Sequence, residues 1–312
     1  MEKEMGILKQ DYGSMEEAIW ELYGSKVSIL KEEPVYGGDI NDACKITLST
    51  GQKVFVKRNS AVNHKFFTTE ALGLYALKET GEIGVPEILA GGVDVAKGIS
   101  FLMMEYLESV SKREDYWETF GHQLAMVHQA ECRYFVNSKE GCYGFLEDNF
   151  IGAAPQKNTP KGNWIDFYRE CRLLPQIQMA KHYFTLDTLG QFEQLLEHLE
   201  DYLREPEFPS LLHGDLWGGN VICGNDGRAW LIDPAVYVGD FETDLAMTQL
   251  FGSFPARFYG AYHEINPIPK EYDERRDLYQ LYHLLNHLNL FGRSYLRSVI
   301  GILEKYVSGG SL

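Results

Sequence analysis

The sequence predicts an α+β chain of two lobes, a small β-rich lobe ahead of a larger helical one. Three observations lead there. Over the first third, short runs in which apolar and polar residues alternate are separated by glycine-containing turns. Beyond residue 107 the apolar spacing changes to the helical period. Within that helical part lies one isolated hairpin pattern, Val221-Ile222-Cys223 and Ala229-Trp230-Leu231-Ile232 around Gly224-Asn225-Asp226-Gly227. The expected boundary gives an N-terminal lobe of residues 1–107 and a C-terminal lobe of residues 108–312.

In chain order, residues 14–24 carry a short amphipathic pattern, with Met15, Ala18, Ile19 and Leu22 on one side and Ser14 as its cap. Strand sequence continues at Val27–Leu30, Ala43–Leu48 and Lys53–Lys57, joined by a turn region at 36–42 and by Ser49-Thr50-Gly51-Gln52. In the first of these turns, Gly37-Gly38 either lets backbone N–H groups approach a phosphate or simply turns a hairpin. Lys57 ends an alternating strand, with Val54 and Val56 on one face and Phe55 and Lys57 on the other. A helical pattern through Phe66, Phe67, Ala71, Leu74 and Leu77 carries Glu70, with Glu79 and Glu82 as nearby alternatives for a carboxylate partner of Lys57. Val85–Leu89 begins another strand. Gly98–Leu107 reads as a buried strand leaving for the second lobe.

The second lobe opens with a helix over Tyr116–Gln129, in which His122 and His128 read as structural. Residues 133–162 are loop-rich. A helix from Asn163-Trp164 through Lys181 is expected to break or kink at Pro175. Further helices are predicted at 187–204, from Phe241, at Glu271–Leu288 and at Tyr295–Val307. Asp240, Glu242 and Asp244 fall at the start of one of them, where capping is the economical explanation.

The chemistry concentrates at Leu211-Leu212-His213-Gly214-Asp215-Leu216-Trp217-Gly218-Gly219-Asn220 and Leu231-Ile232-Asp233-Pro234. The hairpin between them gathers Asp215, Asn220 and Asp233 at one end, three groups suited to Mg²⁺ and a reacting hydroxyl. Singly, each would be an ordinary loop or turn residue. In this order they match the parts of protein kinases. There an Asp takes the substrate hydroxyl proton, an Asn five residues on and a strand-terminal Asp hold Mg²⁺, and a strand Lys paired with a helix Glu meets the phosphates of ATP. Lys57 and Glu70 fill the last two places. In that layout the backbone near Glu105 and Leu107 is a hinge meeting adenine, although a plain core strand explains the same apolar run. Trp217 either stacks on a sugar face or packs in the core.

Composition narrows the class. With 312 residues, 45% of them hydrophobic, the chain can bury a large core and has no low-complexity tract. A net charge of −16 argues against nucleic acid or an anionic membrane as partner and is compatible with an amine-bearing substrate. Five scattered cysteines without metal-ligand spacing, no signal-peptide pattern at Met1–Met5 and no bilayer-length apolar run suit a reduced, cytoplasmic protein.

With these residues in view, the chain resembles the fructosamine kinase (ketosamine-3-kinase) family, which has a protein-kinase-like fold and is related to aminoglycoside phosphotransferases. The resemblance covers nearly the whole chain. It is carried by Gly37-Gly38-Asp39-Ile40-Asn41, Val54-Phe55-Val56-Lys57, Trp164-Ile165-Asp166-Phe167 with Arg172-Leu173, His213–Asn220, Ile232-Asp233-Pro234-Ala235, Glu242 with Asp244–Met247, Leu250-Phe251-Gly252 and Tyr279–His287. The family implies ATP-dependent, Mg²⁺-dependent phosphorylation of a sugar hydroxyl on small-molecule or protein-bound ketosamines, and a role in deglycation. By matched motif it implies Asp215 as base, Asn220 and Asp233 as Mg²⁺ ligands, Lys57 as the phosphate lysine with Glu70 its partner, and Asp244 as a brace for the catalytic loop. Asp39 stands where some members carry a cysteine, so the resemblance carries over no thiol control at that point, although Cys44 lies close by. The catalytic set alone would also serve an aminoglycoside, choline or homoserine kinase. A nucleotide-binding pseudokinase is the reading from a different class, and the intact set argues against it.

Overall fold

The computed structural model describes residues 8–35 and 41–308. Gly37 and Gly38, read either as a phosphate-facing turn or as a plain hairpin turn, lie outside the described residues, as does Asp39. The chain begins with β1 (Leu8–Tyr12), α1 (Met15–Tyr23), β2 (Ile29–Pro34), β3 (Asp42–Leu48), β4 (Lys53–Ser60), α2 (His64–Glu79), β5 (Ile88–Asp94) and β6 (Ile99–Glu105). These strands form one sheet in the order β1-β5-β6-β4-β3-β2, with β1 parallel to β5 and all other pairs antiparallel.

Helix α1 starts where Ser14 accepts the Glu17 N–H, and the Met15 N–H donates to Asp94 Oδ2 at 2.8 Å. Met15, Ala18 and Ile19 are buried against the sheet, whereas Leu22, expected on the same face, is exposed in the last turn. The alternation along β4 sorts its side chains between two cores. Val54 and Val56 join Met15, Ile19, Ile46 and Met103 in a cluster on the α1 side. Phe55 packs into a second, larger cluster, which includes Phe67, Ala71 and Leu74 of α2. Lys57 shares the face of Phe55 and therefore points at α2.

The remainder holds α3 (Tyr116–Gln129), β7 (Asn149–Ile151), β8 (Ala154–Gln156), α4 (Trp164–Tyr168), α5 (Leu174–Ala180), α6 (Leu186–Glu197), β9 (Ser210–Leu212), β10 (Val221–Cys223), β11 (Ala229–Leu231), β12 (Tyr237–Gly239), α7 (Glu242–Leu250), α8 (Ala256–Ile265), α9 (Tyr272–Phe291) and α10 (Leu296–Ser308). β-rich sequence first and helical sequence second make this the α+β architecture expected. Its large core runs without a break from α2 and β6 into the helices, through residues such as Leu74, Leu102, Phe120 and Phe258.

Several elements differ from expectation. The predicted helix over 163–181 is irregular before Pro175 rather than at it. Residues Arg169–Leu173 form a π turn, and Pro175 sits in the first turn of α5, where its missing N–H is tolerated. The Cys171 carbonyl, which Pro175 cannot serve, accepts from Arg172 Nη1 at 2.9 Å instead. The helix predicted over 187–204 ends at Glu197 and tightens into a 3₁₀ turn at Leu199–Asp201. The loop-rich stretch 133–162 contains the β7–β8 hairpin, and β1 and α8 are additions to the expected elements. Among the described residues, no helix is long and apolar enough to cross a membrane.

Candidate active site

Lys57 ends up almost fully buried, with its ammonium 2.6 Å from Glu70 Oε1 and 2.5 Å from Asp233 Oδ1. Strand register aims the lysine at α2, and Glu70 lies on the helix turn that meets it; Glu79 and Glu82 do not. Burial alone would push the lysine pKa down. The two carboxylates outweigh it and hold the group above its ordinary value, so Lys57 is a cation at any working pH. Glu70 is pushed up by burial, an effect that Lys57 partly offsets. Helix α2 also reaches the chain just beyond Asp233. A Cβ on Gly73 would lie 3.1 Å from Val236 and 3.4 Å from Pro234, so a glycine here permits a close approach.

The stretch from His213 to Asn220 is built as a set of clamps. Asp244, in the first turn of α7, accepts the N–H groups of His213 (2.7 Å) and Gly214 (2.9 Å) and contacts His128 Nε2 at 3.2 Å. Burial would raise its pKa, but His128 and these donors hold it below the ordinary aspartate value. His213 accepts the Asp215 N–H on Nδ1 and donates from Nε2 to the Ile232 carbonyl at 3.0 Å, which ties the turn to the Asp233 strand. Burial lowers the His213 pKa, so the ring is neutral and holds that tautomer. Gly214 has φ +80°, and a Cβ there would sit 2.0 Å from the Ala235 carbonyl oxygen. His128, structural as expected, is fixed between Tyr262 and Asp244.

Held this way, Asp215 faces the same cleft as Lys57, Glu70 and Asp233. Asn220 Nδ2 donates to the Asp215 backbone carbonyl at 2.8 Å and to its carboxylate at 3.2 Å. Burial pushes the Asp215 pKa up to about 7, with Asn220 opposing and the charges of Asp233 and Asp244 adding to the rise. Asp233 has φ 53°, the one positive φ outside glycine among the described residues. That turn brings a half-exposed carboxylate onto Lys57.

The capping expected of the carboxylates near the α7 start holds only in part. Asp240 does accept the Glu242 N–H. Glu242, however, is fully buried and paired with Arg275 through both oxygens, at 2.8 and 2.7 Å.

Sequence reasoning misses part of the cleft wall. Asn41, Phe66, Thr69, Asn149, Phe150 and Gly152 also line it. The last three come from the unforeseen β7–β8 hairpin, whose three-residue strands leave no periodic signal. Glu105 and Leu107 are not among the lining residues. Glu105 closes β6 opposite Val54, three residues or about 10 Å along the strand from Lys57. Trp217 is 38% exposed, so it is not core; its ring meets Phe251 edge-on at 6.3 Å. A Cβ at Gly219 would be 2.4 Å from that indole.

As a metal site, Asp233 and Asn220 offer a carboxylate and an amide oxygen, the Asn220 nitrogen being committed to Asp215. An all-oxygen set with few protein donors suits Mg²⁺, which draws its remaining ligands from phosphate and water.

Comparisons with known proteins bear on the family of the whole chain. The fructosamine kinase family model matches residues 12–309. A Synechocystis sp. protein provisionally named a ketoamine kinase is 39% identical over 90% of this chain and 92% of its own length. The chloroplastic protein-ribulosamine 3-kinase of Arabidopsis thaliana is 37% identical over 91% of this chain and 85% of its own. A crystal structure from Haemophilus somnus, provisionally named a fructosamine-3-kinase, superposes with a TM-score of 0.81 at 31% identity, covering 94% of this chain and 96% of that one.

Proposed function

The chain belongs to the fructosamine kinase family, and from that premise we propose how it phosphorylates a sugar hydroxyl of a ketosamine at the expense of ATP. One observation carries the chemistry: Lys57 is held between Glu70 and Asp233 in the cleft that Asp215 also faces. Phosphoryl transfer passes through a loose transition state, so positioning and charge neutralisation do most of the work. Lys57 meets the phosphates. Glu70 keeps it aimed. Asp233 and Asn220 would hold Mg²⁺, which when bound offsets triphosphate charge and orients the phosphates. The end of β6 near Glu105 and Leu107 receives the adenine, and its separation from Lys57 along β4 suits a nucleotide lying along the sheet.

Asp215 orients the acceptor hydroxyl and takes its proton as the oxygen–phosphorus bond forms. Trp217, two residues further along the chain and 38% exposed, offers a flat apolar face for the sugar. The substrate is a ketosamine, free or protein-bound, as the names of the relatives suggest. Phosphate leaves carbon more readily than hydroxide does, so the phosphorylated adduct sheds its amine more easily, which makes the reaction a deglycation step. We place the protein in the cytoplasm, where five free cysteines would stay reduced.

A coupled ADP assay with ribulosamine, fructosamine and kanamycin tests the acceptor. kcat/KM for a ketosamine should exceed that for kanamycin by at least about tenfold, roughly 1.4 kcal/mol of transition-state discrimination. Equal or reversed values would remove the ketosamine assignment. ADP release with no acceptor dependence would remove the kinase reading itself.

A further inference from the structure

The β7–β8 hairpin lines the cleft but carries none of the residues assigned above to phosphate or acceptor, and it touches both elements that bear the lysine clamp. On one side, Phe150 packs against Phe66 of α2 with ring centroids 4.1 Å apart and the planes tilted by 37°, and Lys65 lies 3.6 Å from Glu147 just ahead of the hairpin. Phe66 is one helical turn from Glu70. On the other side, the hairpin grips the backbone beyond Asp233. Asn149 Nδ2 donates to the Val236 carbonyl at 2.8 Å, and Gln156 Nε2 donates to the Ala235 carbonyl at 3.0 Å.

Beneath this grip lies a buried polar network. Asn149, Gln156, Asn158 and Arg172 are all almost completely buried. Asn149 Oδ1 accepts from Gln156 and Asn158 at 2.8 Å each, and Tyr282 donates to Gln156 Oε1 at 2.7 Å. Arg172 closes the network from below. It donates to Asn158 Oδ1 at 2.9 Å and to the Lys157 carbonyl at 2.5 Å, with its guanidinium 3.7 Å over the Tyr237 ring and 4.6 Å from Phe167. A buried guanidinium that makes such directional contacts fixes geometry, because each bond missed inside the protein is costly.

We propose that this hairpin is a strut that holds α2 and the Asp233 segment in one register, so that Glu70 and Asp233 meet on Lys57 before any nucleotide arrives. Phe150 and Arg172 are then positioning residues for phosphoryl transfer. The inference rests on the kinase reading but not on the identity of the acceptor.

The test is a double-mutant cycle on Mg·ATP affinity by titration calorimetry, with no acceptor present. Phe150→Ala should weaken Mg·ATP about tenfold in the wild-type background, a coupling of ordinary size. In a Glu70→Gln background the same change should alter affinity less than about twofold, because the pair that Phe150 supports is already lost. Phe150→Leu, which keeps an apolar contact, should recover most of the affinity. Equal losses in both backgrounds would mean that Phe150 meets the nucleotide directly, and no loss in either would mean no strut; each overturns the proposal. Arg172→Lys keeps the charge without the planar stack and should weaken Mg·ATP in the same Glu70-dependent way; if it fails to fold, the Phe150 cycle still decides. If the wild type does not bind Mg·ATP, the kinase reading falls and takes the strut with it.

Discussion

Asp233 combines a strained backbone with the most demanding side-chain role in the cleft. A non-glycine residue at φ 53° costs on the order of 1–2 kcal/mol, and here it delivers a carboxylate to Lys57 at 2.5 Å. The two contributions separate by substitution. Asp233→Ala and Asp233→Gly should both lose most Mg-dependent ATP affinity in calorimetry. The glycine variant should unfold at the higher temperature, by roughly 1 kcal/mol, because it relieves the backbone. Unchanged Mg-dependent affinity in either variant would move the metal elsewhere. Asp215→Asn should behave oppositely: turnover falls by roughly 10²–10⁴-fold, the scale of a lost general base, while Mg·ATP affinity is nearly unchanged. Retention of more than a few per cent of the wild-type rate would exclude Asp215 as the base. Lys57, Asp215, Asn220 and Asp233 can be named from the sequence because each has one place in a fixed order of strand, loop and hairpin. The choice of Glu70 over Glu79 and Glu82 needs the helix phase, which alternation along β4 sets only once α2 is seated.

At the scale of elements, the turn at 213–215 depends on α7 as well as on its own residues. Asp244→Ala would leave the His213 and Gly214 N–H groups buried without partners, at about 1–3 kcal/mol each. The expected outcome is a lower unfolding midpoint together with a fall in kcat. The Asp244 pKa is depressed, so its stabilisation is complete above the unfolded value of about 4 and is lost as pH falls through the folded one. Stability of Asp244→Asn should therefore fall less steeply than that of the wild type below about pH 4, measured by denaturant unfolding; parallel acid limbs would contradict the assignment. Gly214→Ala should fail to fold properly or lose several kcal/mol, since its Cβ would meet the Ala235 oxygen at 2.0 Å. Elements are legible in the sequence where the pattern is local, as in α3, β4 and the β10–β11 hairpin. They are hidden where partners are distant or strands are short. β1 pairs in parallel with β5, some eighty residues on. β7 and β8 have three residues each and are held by Arg172 and Tyr282 from elsewhere in the chain.

For the whole molecule, a net charge of −16 sits around a cleft that must accept an anionic nucleotide. Lys57 is the cation the fold buries there, and its retention of charge among carboxylates makes that possible. The α+β architecture is legible in strand-type sequence followed by helical sequence. The cleft wall is not, because it is assembled from segments as far apart as Asn41, Phe150 and Asp215. The central claim is that this cleft moves phosphate from ATP to the sugar of a ketosamine and so frees the amine. Incubating a ribulosylated lysine peptide with the protein and Mg·ATP, and following phosphorus NMR alongside the peptide mass, measures both halves at once. The expected result is one phosphate ester on the sugar per ADP formed, followed by recovery of unmodified lysine, with neither seen for Asp215→Asn. ADP accumulating while the ribulosylated peptide stays unphosphorylated would contradict it.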